Sequence, residues 1–182
     1  MVEILDKKST GLVLVFTGEG KGKTTAALGT AVRAWGQGMK VLMMQFIKGS
    51  WPTGEQNAIK KLGSGFELRR VGDGFINFND AEEMEKQKKM AREGLKIARL
   101  AITSGRYQMV VLDEINYAMS YGLIDKEEVL DIIDTKPPEM HLILTGRSAP
   151  EEILEKADMV TRMDNVKHHY SKGIPAQRGI EY

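Results

Sequence analysis

Short apolar runs alternate along the chain with longer segments in which apolar residues recur every three or four positions. A run of about four to eight apolar residues predicts a strand buried on both faces, and a longer periodic segment predicts a helix. The predicted strands span 11–16, 40–46, 66–71, 108–114, 141–146 and 158–163. The predicted helices span 23–35 and 80–103, with shorter helices at 128–133 and from Pro150 onwards. This alternation predicts an α/β fold with a mostly parallel sheet and helices on both of its faces.

Polar residues at two predicted helix starts have the character of N-caps. Asp80 is suited to cap the long helix that runs to about Thr103. Asp125 and Glu128 have the spacing of a capping box in front of the next helix. The long helix carries one apolar stripe, predicted to be buried, formed by Met84, Ala91, Leu95, Ala98 and Ile102.

Length and composition narrow the class of protein. A chain of 182 residues predicts one domain, residues 1–182, with a full hydrophobic core. The 26 basic and 25 acidic residues leave a net charge of +1, whereas nucleic-acid binders usually carry a basic excess. No apolar run approaches the ~20 residues that span a membrane, and the first residues do not resemble a secretory signal. With no cysteine to form disulfides or thiolate metal sites, we predict a cytoplasmic protein without membrane or nucleic-acid partners.

The segment VFTGEGKGKTTAA joins the first predicted strand to the first predicted helix. The Walker pattern requires a glycine, four residues and then Gly-Lys-Ser/Thr. Here only three residues separate Gly18 from Gly22, and Thr17 stands where the pattern places its first glycine. The segment is therefore open to three interpretations: an ordinary nucleotide site, a turn without a ligand, or a variant loop that uses its nucleotide differently.

The residues of this loop favour nucleotide binding. Glycines let a backbone approach phosphate oxygens closely, and a helix N-terminus attracts anions. Lys23 can reach the terminal phosphates, Lys21 adds a second positive charge, and the Thr24 hydroxyl is placed for Mg²⁺. Asp113 and Glu114 end a later strand and supply the carboxylates that a magnesium site requires. The predicted nucleotide-binding residues of the loop are Gly18, Glu19, Gly20, Lys21, Gly22, Lys23, Thr24 and Thr25.

Three polar segments follow predicted strands, namely TGEGKGKTT, DE and TGR. Because ligands of parallel α/β sheets bind beyond the carboxyl ends of the strands, we expect these segments to meet at one sheet edge. Arg147, in TGR, is a candidate contact for phosphate or adenine, with a solvated loop arginine as the alternative. Phosphate loops serve kinases, hydrolases, switches and motors, so binding alone does not assign a reaction.

Several segments from Gly11 to Tyr182 together resemble one family, the P-loop type of ATP:corrinoid adenosyltransferase. The segments that carry the resemblance are VFTGEGKGKTTAALGTAVRAWGQG, VLMMQFIKGSWPTGEQN, VVLDEINYAMSYGL, LILTGRSAPEEILEKAD and VKHHYSKGIPAQRGIEY. The resemblance implies a three-layer P-loop (RecA-like) fold. It also implies a transferase that moves the 5′-deoxyadenosyl group of ATP to cobalt(I) of a reduced corrinoid and releases triphosphate.

In that family the shortened loop is described as holding the triphosphate in the reverse sense, so that the 5′ carbon is open to attack. The resemblance assigns catalysis to Lys23, Lys21 and Thr24. It assigns Mg²⁺ (or Mn²⁺) to Thr24 and Glu114, with Asp113 as a supporting carboxylate. It further implies a homodimer and a reduced flavin or flavodoxin-type electron donor.

The corrinoid side of the resemblance rests on aromatic residues. In relatives, aromatic side chains before the long helix displace the lower ligand of the corrin. Phe75 matches the first aromatic position, while Asn77 stands where some relatives have tryptophan, and Phe78 is the candidate substitute. Trp51 is a further candidate contact for the corrinoid or a partner subunit. Packing under a loop is the structural alternative for Phe75 and Phe78, and loop anchoring is the alternative for Trp51.

Two other functions compete with adenosyl transfer. The first is a phosphotransferase or NTPase acting at the γ-phosphate, which the standard loop spacing would have favoured. The second is a binding module without catalysis, either RecA-like on nucleic acid or an ATP-sensing regulator. His168 and His169 invite a metal assignment, but adjacent histidines with no third ligand nearby in the sequence favour polar surface contacts.

Overall fold

The structure is a computed structural model, and it describes residues 10–47, 53–72 and 80–182. The strands are β1 (Val13–Thr17), β2 (Val41–Gln45), β3 (Phe66–Arg70), β4 (Met109–Asp113), β5 (His141–Thr145) and β6 (Met159–Arg162). The α-helices are α1 (Lys23–Gly36), α2 (Gly54–Leu62), α3 (Ala81–Thr103), α4 (Ile115–Ser120), α5 (Lys126–Thr135) and α6 (Glu151–Lys156). A short 3₁₀ turn, His169–Lys172, follows in the C-terminal segment.

All six strands form one sheet in the order β3-β2-β4-β5-β1-β6, and every pairing in it is parallel. Parallel neighbours need crossover connections, and helices supply them between most successive strands. The predicted α/β fold with a parallel sheet is therefore confirmed. The carboxyl ends of all strands lie at one edge, which carries the glycine-rich loop after β1.

Two hydrophobic clusters cover the two faces of the sheet, which confirms the three-layer arrangement. Along β2, Leu42 and Met44 enter the cluster with α3 to α6, whereas Val41 and Met43 enter the cluster with α1 and α2. This alternation follows from the two-residue period of a strand. The predicted stripe of the long helix faces the first cluster, with four members buried and Met84 partly buried.

The helix starts give one confirmation and one correction. The Asp80 side chain accepts hydrogen bonds from the backbone N–H groups of Glu82 and Glu83 at 3.0 and 3.2 Å, as an N-cap should. The capping box at Asp125 is wrong, because Asp125 occupies the N-cap position without a side-chain cap bond. Its carboxylate instead lies 3.8 Å from the guanidinium of Arg92 on the neighbouring α3.

Two helices were missed by the hydrophobic pattern. α2 has a single buried residue, Ile59, so it shows too few apolar positions for a helical period. α4 has six residues, fewer than two helical turns, so it is too short to show a helical period. Both helices border the site described below. Among the described residues, no helix combines the length and the apolar character needed to cross a membrane.

Candidate nucleotide site at the sheet edge

The glycine-rich loop, residues 18–22, is folded against the chain that follows β6. Gly22 is the N-cap of α1 and has φ 116°, a left-handed conformation that favours glycine. A Cβ on Gly18 would lie 2.5 Å from the carbonyl oxygen of Met163, and one on Gly20 would lie 2.5 Å from that of Asp164. The Gly20 N–H also donates to the Met163 carbonyl at 2.7 Å. In this structure, Gly18 and Gly20 therefore allow the backbone of Met163 and Asp164 to approach the loop closely.

Lys23 begins α1 and its ammonium lies inside the loop. Its Nζ donates to the carbonyl oxygens of Gly18 and Gly20 at 2.8 and 2.7 Å. Burial lowers the pKa of Lys23, an effect that the nearby carboxylate of Glu114 opposes. Because only 8% of the residue is exposed, its charge acts on the loop and the adjacent cavity with little screening by water.

A buried carboxylate, Asp113, joins three strands and a helix at the sheet edge. Its Oδ1 accepts hydrogen bonds from the hydroxyls of Thr24 at 2.9 Å and Thr145 at 2.7 Å. Its Oδ2 accepts from the side-chain amide of Gln45 at 3.1 Å. Strand alternation places the last residues of β2, β4 and β5 on the face that α1 covers, which is why these side chains meet.

Glu114 follows directly and has a strained backbone with φ 64°, in the left-handed region. Its N–H donates to the Thr145 hydroxyl at 3.0 Å, so Thr145 contacts both acidic residues. Glu114 and Thr24 line the same cavity. Carboxylate and hydroxyl oxygens are the ligand type that Mg²⁺ prefers, so the side chains present fit a magnesium ion.

A cavity of about 900 Å³ opens in front of the loop. Its walls come from the loop and the start of α1, from α2, from α4, and from the C-terminal segment 165–182. A cavity of this size is within the range of sites for cofactor-sized ligands. The predicted site residues that line it are Glu19, Gly20, Lys21, Gly22, Lys23, Thr24, Thr25, Glu114 and Arg147. The structure thus brings together most of the residues assigned to the nucleotide.

Two cations of the cavity wall lie near carboxylates, Arg147 near the exposed Glu19 and Lys21 near the partly buried Glu181. Arg147 Nε lies 3.4 Å from the Glu19 carboxylate, with both side chains at least half exposed. Lys21 Nζ lies 4.0 Å from Glu181 Oε1, and His169 Nε2 lies 3.6 Å from the same oxygen. The exposed pair of Arg147 and Glu19 contributes little to stability. These contacts leave Arg147 and Lys21 able to exchange their carboxylate for a phosphate.

The paired histidines make polar contacts, as the sequence predicted. His168 Nδ1 accepts the backbone N–H of Tyr170 at 3.2 Å, and the two imidazole rings stack with centroids 4.6 Å apart. The fold also places the Glu181 carboxylate next to both histidines. One potential metal-ligand atom from each of the three side chains lies within 4.8 Å of the other two. This third potential ligand is 12 residues beyond His169, so it is not apparent from the residues next to the histidines.

Tyr117 on α4 adds an aromatic side chain to the cavity wall. Burial, together with the hydroxyl of Tyr121, raises the pKa of Tyr117 to about 12. The two rings meet edge to face with centroids 4.2 Å apart. Tyr117 is therefore a neutral phenol at ordinary pH, and its hydroxyl contacts that of Tyr121.

Three predicted contacts, Phe75, Phe78 and Trp51, lie outside the described residues. Sequence reasoning in turn missed the roles of Gln45 and Thr145. Each is a polar residue at the end of an otherwise apolar strand, and that pattern is the signal that could have identified them. A polar side chain in such a position must find a partner at the sheet edge, since burial without one is costly.

The parallel sheet, the loop between β1 and α1 and the Thr24–Asp113 contact define the class of P-loop nucleotide-binding proteins. Two solved structures with similar folds are the flagellar accessory protein FlaH from Methanocaldococcus jannaschii and a KaiC-like protein from Pyrococcus horikoshii. FlaH has a TM-score of 0.52 at 14% identity, covering 85% of this chain and 71% of its own. The KaiC-like protein has a TM-score of 0.54 at 14% identity, covering 87% and 75%. At this identity the likeness concerns the fold alone.

The chain belongs to the family described as ATP:corrinoid adenosyltransferase BtuR/CobO/CobP, whose model matches residues 9–182. The corrinoid adenosyltransferase of Escherichia coli K12 is 41% identical over 172 residues, covering 94% of this chain and 86% of the relative. That of Salmonella typhimurium is 38% identical over 176 residues, covering 97% and 88%. That of Pseudomonas aeruginosa is 37% identical over 172 residues, covering 94% and 84%. The resemblance inferred from the sequence motifs is confirmed.

Proposed function

We propose that the protein transfers the 5′-deoxyadenosyl group of ATP to cobalt(I) of a reduced corrinoid and releases triphosphate. The lone pair of cobalt(I) forms the cobalt–carbon bond while the bond between the 5′ carbon and its oxygen breaks. The electron pair of that bond leaves with the triphosphate, and cobalt becomes formally cobalt(III). Membership of the adenosyltransferase family over residues 9–182 is the observation that carries this proposal.

The protein's own part in this reaction is to position the nucleotide and to stabilise the leaving group. Negative charge grows on the triphosphate as the carbon–oxygen bond breaks. Lys23, now bonded to two loop carbonyls, and Lys21, now beside Glu181, are the cations that would turn to the phosphates. Cobalt(I) supplies its own electron pair, so the step needs no general base.

We further propose that Thr24 and Glu114 hold Mg²⁺ (or Mn²⁺), with Asp113 orienting the Thr24 hydroxyl. The hydrogen bond of 2.9 Å between Thr24 and Asp113 supports this division of roles. When bound, the ion would neutralise part of the charge of the leaving triphosphate. Arg147 and Tyr117 line the same cavity and are proposed contacts for the nucleotide or the corrinoid.

The remaining parts of the proposal come from chain length, composition and the family resemblance, and they stay predictions. These are a single domain over residues 1–182, a homodimer, a reduced flavin or flavodoxin-type donor and a cytoplasmic location. Phe75, Phe78 and Trp51 stay candidate corrinoid contacts.

Product analysis tests the reaction directly. The protein is incubated anaerobically with Mg-ATP and chemically reduced cob(I)alamin, and the products are separated by chromatography. We expect light-sensitive adenosylcobalamin together with an equal amount of triphosphate. ADP as the product, or no product at all, would contradict the proposal.

A pair of lysine variants controls this experiment. Lys23→Met removes the cation inside the loop, whereas Lys156→Met removes an exposed lysine of α6 that is paired with Asp134. We expect Lys156→Met to form adenosylcobalamin at the wild-type rate and Lys23→Met to be slow. Equal rates in both variants would show that the loop does not serve the reaction.

A further inference from the structure

Gln45 is a buried amide at the end of β2 that contacts two carboxylates. It is completely buried, and its Nε2 donates to Asp113 Oδ2 at 3.1 Å and to Glu55 Oε1 at 3.2 Å. Asp113 is its direct neighbour in the register of β2 with β4, and Glu55 belongs to the first turn of α2. One side chain thus connects the sheet edge to the first turn of α2, which also lines the cavity.

The amide orientation follows from its surroundings. An amide nitrogen carries two hydrogens, and here each faces a carboxylate oxygen. Exchanging the nitrogen and oxygen of Gln45 would turn its oxygen towards two acidic groups. In the present orientation Gln45 Oε1 is buried and has no hydrogen-bond partner among the described residues.

That unpaired oxygen argues against a purely stabilising role. A buried acceptor without a partner is unfavourable, and Met43 and Met44 immediately before Gln45 are completely buried apolar residues. A methionine at position 45 would fill the same space without an unpaired oxygen. Methionine could not donate the two hydrogen bonds to Asp113 and Glu55. We therefore attribute the glutamine to its positioning of these two carboxylates.

We propose that Gln45 is a positioning residue for the metal-bound nucleotide, and this inference rests on the proposed function. The structure assigns it two tasks. Through Asp113 it fixes the Thr24 hydroxyl, and through Glu55 it fixes the α2 wall of the cavity, which Glu55 lines together with Thr24 and Glu114. Gln45 touches neither reacting group; it sets the separation between the two walls that hold the ligand.

The test is a binding experiment without corrinoid. The affinity for ATP is measured by calorimetry with Mg²⁺ and with the metal removed by chelator, and Mn²⁺ binding to the ATP complex is followed by electron paramagnetic resonance. Residues that support metal ligands typically change affinity by about 10–100-fold when replaced. We therefore expect Gln45→Met to weaken Mn²⁺ binding at least tenfold, with a larger loss of ATP affinity in the presence of Mg²⁺ than in its absence.

Gln87→Met is the matched control, because Gln87 is also a buried glutamine but lies on α3. We expect it to bind ATP and Mn²⁺ like the wild type. An equal loss in both variants, or an equal loss with and without Mg²⁺, would overturn the inference. If Gln45→Met does not fold, Gln45→Asn replaces it, since it keeps the donor but is too short to reach both carboxylates.

A double variant separates the positioning role from a general loss of structure. Thr24→Val removes the hydroxyl through which Gln45 is proposed to act. If both residues serve one chain of contacts, Gln45→Met in the Thr24→Val background costs much less Mn²⁺ affinity than it does alone. Fully additive losses would overturn the inference. Absence of ATP binding by the wild type would instead refute the proposed function, so the two failures are distinguishable.

Discussion

Two walls of one cavity are built in opposite ways. The sheet-edge wall presents Thr24 and Glu114 to the cavity. It is backed by Gln45, Asp113 and Thr145, which join the Thr24 hydroxyl in hydrogen bonds of 2.7 to 3.1 Å around a fully buried carboxylate. The C-terminal wall, residues 165–182, meets the loop through Glu181, whose contacts to Lys21 and His169 measure 4.0 and 3.6 Å. One wall is part of the core, and the other rests on the surface.

The difference lies in the dielectric surroundings of the two carboxylates. A buried carboxylate such as Asp113 loses its hydration and depends on every donor around it. Glu181 contacts Lys21 and His169 only at 4.0 and 3.6 Å, beyond hydrogen-bond distance, so these contacts are weaker than the hydrogen bonds of Asp113. We infer that the sheet-edge wall holds ligand-binding groups at fixed separations, while the C-terminal wall can release Lys21 when an anion arrives.

Lys23→Met should have the largest effect of the changes considered, because the Lys23 ammonium lies inside the loop that borders the cavity. It removes a buried cation that is proposed to turn to the triphosphate as negative charge develops there. Losing one such group typically lowers turnover by roughly 10²–10³-fold. The measurement is the single-turnover rate of adenosylcobalamin formation, with Lys156→Met as control. A rate within a factor of two or so of wild type would refute the assigned role of Lys23.

The comparison of the walls is tested most directly by two matched carboxylate-to-amide changes. Asp113→Asn leaves the shape intact but brings N–H groups towards the donors of Thr24, Thr145 and Gln45. We expect a loss of about 2 kcal/mol in the free energy of unfolding, measured by urea denaturation. Glu181→Gln should leave stability nearly unchanged and should slightly raise the affinity for triphosphate by freeing Lys21. Similar destabilisation by both changes would remove the distinction between the walls.

A smaller effect is expected from Thr145→Val, which keeps the side-chain shape and removes one hydroxyl. That hydroxyl donates to Asp113 and accepts the N–H of Glu114, which is in a left-handed conformation. We expect a loss of about 1–2 kcal/mol in unfolding free energy. Thr161→Val on the exposed strand β6 is the matched control and should be neutral or slightly stabilising. A neutral Thr145→Val would mean that the sheet-edge hydrogen bonds are replaceable.

The smallest expected effect is the pH dependence contributed by Lys23. Burial lowers its pKa in the folded protein below the ordinary value of 10.5. Between the lowered and the ordinary value the unfolded chain binds a proton that the folded protein has released, so stability rises with pH. Affinity for triphosphate should fall in the same window, because Lys23 loses its charge.

The rise in stability and the fall in triphosphate affinity are each measured as the difference between the wild type and Lys23→Met. The difference cancels most of the contribution from the other lysines. Unfolding free energy and triphosphate affinity are followed through alkaline pH up to 10.5. Parallel changes in the two quantities would contradict the assignment of this titration to Lys23.

Much of this architecture was determined by local sequence. Apolar runs identify the four strands that are buried on both faces of the sheet, β1, β2, β4 and β5. The strand–loop–helix motif around Gly22-Lys23-Thr24 locates the glycine-rich loop at the sheet edge. Asp80 marks the start of the long helix. These features depend on neighbouring residues, so they are readable before the chain is folded.

The tertiary structure alone decided which distant groups meet. The order β3-β2-β4-β5-β1-β6 brings the ends of β2, β4 and β5 together, which turns Gln45, Asp113 and Thr145 into one network. The same folding places Met163 and Asp164 against the loop glycines and Glu181 beside Lys21. Such contacts depend on strand order and on the path of the C-terminal segment, which are set by long-range packing and leave no periodic signal in the sequence.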